Sequence, residues 1–130
     1  MAQRLMYFQH AEKIIEAGKV EQRMYIILEG EVEILLSDGT NKVIVAVLKK
    51  GDFFGEISLF NRSPRSATAT ANGQVKLTYI DNYEQLKNFL THNPSFAAKM
   101  VQTLATRLAE TDRILLGKIS EINRLKLTRI

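Results

Sequence analysis

Apolar positions along this chain follow two rhythms. From about residue 8 to residue 80 they come in short runs separated by turn residues, and beyond residue 81 they recur at helical spacing. Residues 25–28 and 31–36 are two β-patterned runs on either side of Glu29-Gly30. Ser37-Asp38-Gly39-Thr40-Asn41 reads as a hairpin turn, because Asp-Gly readily supplies positive φ. Lys42–Leu48 is almost wholly apolar, which predicts a strand buried on both faces. Lys49-Lys50-Gly51-Asp52 turns the chain again. Residues 66–71 alternate small side chains with hydroxyls, Asn72-Gly73 predicts a turn, and residues 75–80 form a further strand. Short strands at regular spacing predict a mainly β domain, a jelly-roll-like β-roll, with helices after it.

Asp81 or Asn82 is placed to cap a short helix over about residues 81–91. Asn93-Pro94 then starts a long one over about residues 93–128, with Pro94 at the first helical position, where its missing N–H costs nothing. Val101, Leu104, Leu108, Thr111, Leu115, Lys118, Ile122 and Leu125 keep strict 3-4 spacing, and all but Thr111 and Lys118 are aliphatic. Met100, Ile114 and Ile119 lie beside this seam. A lone amphipathic helix resting on its own domain needs no such order over four heptads; the pattern favours a parallel homodimer through this helix.

At 130 residues the chain is expected to form one domain, large enough to bury a core without staples. It has no cysteine, which removes disulfides, iron–sulfur clusters and thiolate zinc sites. Its two histidines, His10 and His92, lie in different segments without metal-ligand spacing, so no metal and no enzyme activity is expected. Residues 1–8 lack the apolar core of a signal peptide, and no apolar run reaches bilayer-spanning length. A cytoplasmic protein without membrane contact is the expectation. The whole formal charge of +4 sits from residue 113 onward, on Arg113, Lys118, Arg124, Lys126 and Arg129 against Glu121. Cations there complement a helix C-terminus. Nucleic acid is the other reading, but no aromatic residues interleave and no recognition helix follows; such a partner is expected only through a downstream domain.

The candidate chemistry lies between the strands. Gly51-Asp52-Phe53-Phe54-Gly55-Glu56-Ile57-Ser58-Leu59-Phe60 is followed by Pro64-Arg65-Ser66-Ala67, so a carboxylate and a guanidinium stand nine positions apart across a glycine-containing turn. Gly55 lets backbone approach a ligand closely. Glu56-Ile57-Ser58-Leu59 predicts a short helical turn whose first amides face an anion. Arg65 offers a planar fork for two phosphate oxygens. A phosphate alone would be repelled by Glu56; the acid makes sense as the acceptor for a sugar hydroxyl.

Gly55-Glu56-Ile57-Ser58-Leu59 with Pro64-Arg65-Ser66-Ala67-Thr68 resembles the phosphate-binding cassette of cyclic-nucleotide-binding domains, such as those of catabolite-activator-type regulators and protein kinase A regulatory subunits. The resemblance extends through Glu16-Ala17-Gly18, residues 24–32 and Asn93-Pro94, over roughly residues 7–115. It implies a cyclic nucleotide ligand held by Gly55, Glu56, Ile57, Ser58, Arg65, Ser66 and Ala67. It places Thr111 against the base, with Arg107 one turn before it, and Ile34 and Val45 as apolar walls for purine and ribose. Ser66 after the arginine and Thr111 on the helix favour cAMP over cGMP. The implied role is a sensory module that signals through its C-terminal helix, with the sensor part of a transcriptional regulator as one such setting; no DNA-binding domain lies within these residues. The helix that usually precedes the roll is very short or missing in residues 1–8. The alternative is a degenerate β-roll that dimerises or binds protein without nucleotide.

Overall fold

The structure, a computed structural model, describes residues 4–128 and the side chains up to residue 124. Leu125 of the seam and the cations Lys126 and Arg129 lie outside the described side chains. The elements in order are β1 (Leu5–Phe8), β2 (Lys13–Ile15), β3 (Met24–Ser37), β4 (Lys42–Leu48), β5 (Phe53–Phe54), α1 (Glu56–Phe60), β6 (Thr68–Ile80), α2 (Tyr83–His92) and α3 (Pro94–Thr128). The described residues form two compact units divided between Phe89 and Leu90.

The first unit is an antiparallel sheet in the order β1-β6-β3-β4, with β2 added on β6 and β5 on β3. Alternation along β3 and β6 sends one set of side chains inward, where Tyr25, Ile27, Val32, Ala69, Ala71, Val75 and Leu77 meet Ile14, Ile15 and Phe54. β2 pairs with β6 edge to edge, Lys13 opposite Thr70 and Ile15 opposite Ala69. Two runs expected as separate strands are one: β3 continues through Glu29-Gly30. Likewise Asn72-Gly73 makes no turn, because β6 runs through it. The reason is a matched irregularity. Glu29 pairs with Lys76 and Glu31 with Asn72, so β3 advances two residues while β6 advances four. Gly30 at φ 93° and Gly73 at φ 79° absorb the mismatch as a bulge.

The Ser37–Asn41 hairpin forms as expected. Asp38 Oδ1 accepts the amides of Thr40 at 3.0 Å and Asn41 at 2.7 Å. These amides hold the Asp38 carboxyl below its ordinary range. Lys42–Leu48 is a strand, but not a doubly buried one. β4 is the sheet's edge, and Val43, Ile44, Val45 and Val47 are exposed. An apolar run tells how a strand pairs less well than it tells that a strand exists.

Asn82 caps α2: its Oδ1 accepts the Gln85 amide at 2.9 Å. In the second unit α3 begins at Pro94 and runs for 35 residues, so its length is about 52 Å at 1.5 Å per residue. Among its seam positions Val101, Leu108, Leu115 and Ile122 are exposed.

Candidate functional site

The site is built where β5 hands over to α1. Gly55 takes the left-handed conformation, φ 82° and ψ 8°, and turns the chain from strand into helix within one residue. A Cβ there would stand 2.9 Å from Arg65 Nη1 and 3.0 Å from the Arg23 carbonyl oxygen, so glycine is required by both conformation and space. Glu56 and Ser58 turn inward from α1, whereas Ile57 and Phe60 face out. Arg65 is fixed from its own backbone: its amide donates to Lys19 O and its carbonyl accepts the Gly18 amide, both at 2.8 Å.

The Arg65 side chain is only 4% exposed. Nη1 donates to Gly55 O at 3.0 Å and Nη2 to Arg23 O at 2.6 Å. Nε is buried and makes no hydrogen bond, the sole such side-chain atom among the described residues. A buried donor left unsatisfied costs about 1–3 kcal/mol. The cradle of carbonyls therefore orients the guanidinium while leaving Nε–H uncommitted, as an anionic oxygen would require of its receptor.

Two residues that sequence reasoning missed stand beside it. Glu21 Oε1 lies 3.6 Å from Arg65 Nη2 and accepts the hydroxyl of Tyr25. Burial, reinforced by the Glu21 hydrogen bond, pushes the Tyr25 phenol well above its ordinary value. Arg23 offers Arg65 a main-chain oxygen, a role that no side-chain pattern advertises. Its own guanidinium lies 4.1 Å over the Tyr79 ring and donates to Asp81 Oδ1 at 2.8 Å. Gln22 Nε2 donates to Leu59 O at 3.1 Å and ties this loop to α1.

Of the residues expected at the site, Gly55 and Arg65 are in direct contact, and Glu56, Ile57 and Ser58 share α1 beside them. Ser66 and Ala67 follow Arg65 at the entry to β6. On the β3–β4 ladder Ile34 pairs with Ala46, and Val45 is the exposed bulge residue between that pair and Leu35–Ile44. Thr111 and Arg107 belong to the second unit, on α3; there the Thr111 hydroxyl donates to Arg107 O at 3.0 Å. Among the described residues no helix is long and apolar enough to cross a membrane.

The β-roll thus buries an arginine behind a glycine turn, with a carboxylate on the adjoining helix. The chain belongs to the cyclic nucleotide-binding domain family, which matches residues 5–93. The cAMP-activated global transcriptional regulator CRP of Pasteurella multocida is 32% identical over 102 residues, which are 77% of this chain and 48% of that protein. The cAMP-dependent protein kinase regulatory subunit of Mucor circinelloides f. lusitanicus is 35% identical over 71 residues, 55% of this chain and 17% of the subunit. The crystal structure of Thermus thermophilus Catabolite Activator Protein superposes with a TM-score of 0.74 at 27% identity, covering 87% of this chain and 53% of that one. The chain thus spans about half, or less, of the length of these relatives.

Proposed function

We propose that this chain is a regulatory module that binds a cyclic nucleotide, cAMP in preference to cGMP, and does no catalysis. The observation that carries the reading is the Arg65 guanidinium, buried and held by two carbonyls with Nε–H uncommitted, in a chain of this family. In this reading the ring phosphate takes Nε–H, and Glu56 accepts a ribose hydroxyl. Ser66 and Ala67 border the phosphate, Ile57 and Ser58 shape the turn, and Ile34 and Val45 flank purine and ribose. Relatives named for activation by or dependence on cAMP support the choice of nucleotide.

The output runs through α3. Its exposed seam pairs with the same seam of a second copy, and Thr111 and Arg107 report the base to that helix. A ligand moves such an equilibrium only by its differential affinity for the two helix arrangements. Calorimetry tests the binding: cAMP should bind with micromolar affinity or better, cGMP more weakly, and Arg65→Ala should lose about 1.5–3 kcal/mol. Binding that ignores this substitution refutes the assignment, and absence of binding leaves a dimerising module without nucleotide. Hydrogen exchange across residues 100–125 tests the switch: saturating cAMP should change protection there, and identical profiles reject helix repositioning.

A further inference from the structure

The Arg65 guanidinium has a charged neighbour that the reading above leaves unused. Glu21 Oε1 stands 3.6 Å from Nη2, longer than a hydrogen bond, so it supplies charge without satisfying the donor. It is held there by Tyr25, whose ring is stacked on Phe54 with centroids 5.3 Å apart and cannot drift. Of the other cations close to this loop, Arg23 is engaged by Asp81, and Lys19 pairs with Glu16 at 2.8 Å while adding a weaker attraction to Glu21. Glu56, next to the Gly55 carbonyl that Nη1 bonds, adds a second carboxylate. The site thus combines one buried cation that still has a free N–H with two acids.

Such a balance sorts anions by charge. Coulomb repulsion from the carboxylates grows in proportion to ligand charge. A cyclic phosphodiester carries one negative charge. A phosphomonoester carries nearly two at neutral pH. Resting on the nucleotide reading of this site, we infer that Glu21 is a specificity-determining residue: fixed by Tyr25 beside Arg65, it admits monoanionic phosphodiesters and repels dianionic phosphomonoesters such as linear nucleotides. Its side chain is 41% exposed, so the penalty is graded by salt as well as by charge.

The test compares cAMP with AMP by calorimetry on the full chain at low salt and slightly alkaline pH, for the wild type, Glu21→Gln and Glu21→Asp. The glutamine keeps an acceptor for Tyr25 and drops the charge. It should tighten cAMP about threefold and AMP about tenfold, so that the selectivity ratio narrows about threefold, whereas the aspartate variant keeps the wild-type ratio. Added salt should narrow the wild-type ratio and leave that of the glutamine variant nearly fixed. An unchanged ratio in Glu21→Gln, or weaker cAMP binding, overturns the inference and reduces Glu21 to an anchor for Tyr25. If the wild type binds no cyclic nucleotide, the nucleotide reading fails by itself. Sulfate titrations then judge Glu21 separately: tighter sulfate binding in Glu21→Gln sustains charge exclusion at Arg65, and equal or absent binding ends it.

Discussion

Arg65 and Leu108 reverse the usual partition of side chains in opposite senses. In the roll, a guanidinium is 4% exposed and surrounded by main-chain oxygens. On α3, Leu108 is 63% exposed, and Val101, Leu115 and Ile122 share its condition. The roll's irregularity is largely compensated from within: two carbonyls, a nearby carboxylate and a clamped backbone hold the arginine, with Nε–H uncommitted. The helix shows the converse, an apolar stripe that nothing in its own unit covers. A buried charge kept at this cost points to a ligand, and an exposed aliphatic seam points to a partner. On the function proposed above, the first unit serves a site and the second an interface.

Glycines sharpen the contrast most. A Cβ on Gly30 would meet Gln74 O at 2.3 Å with φ at +93°, so Gly30→Ala should destabilise the roll by about 3–5 kcal/mol in urea unfolding. On the helix side, Leu108→Glu with Leu115→Glu should abolish the proposed dimer in sedimentation analysis, each leucine contributing about 2 kcal/mol of burial there. The roll's unfolding midpoint should stay unchanged, and a persisting dimer would break the comparison. Gly55→Ala should cost about 1–3 kcal/mol and weaken cAMP as well, since the added methyl pushes on Arg65 Nη1 itself. Gly117 has nothing within 4 Å of a built Cβ, so Gly117→Ala should have the opposite sign and stabilise α3 by about 1 kcal/mol.

The smallest effect belongs to the β3–β4 hairpin. Backbone amides hold the Asp38 carboxyl below its ordinary 3.8. A depressed acid contributes stability above its unfolded value and loses it as pH falls through the lower, folded one. Measured against intrinsic exchange rates, the protection of the amides of residues 40 and 41 should therefore fall on acidification below that range, and Asp38→Asn should remove the acid dependence.

How much of this was legible in the sequence varies with the physics. Punctuation was clear where one residue decides a conformation, as at Asn82, Pro94, Gly39 and Gly55, because caps and positive φ are local demands. Strand continuity was not. Glu29-Gly30 and Asn72-Gly73 look like turns, yet they face each other across one ladder, and only the pairing turns them into a bulge. The edge position of β4 was hidden for the same reason, since Val43 and Val45 carry no mark of which neighbour they lack. At the site, Glu56 and Arg65 stand out as charges at a strand end, whereas the Arg23 carbonyl and the Glu21–Tyr25 pair depend on where the β2–β3 connection folds. A main-chain oxygen has no letter of its own.

The central claim is that the reserved Nε–H of Arg65 receives the phosphate. Nitrogen-edited NMR of that group during titration with cAMP addresses it directly. The account predicts a strong downfield shift of the Nε–H proton and slowed exchange with water, saturating together with binding. A resonance that stays in place while cAMP binds stoichiometrically would contradict it.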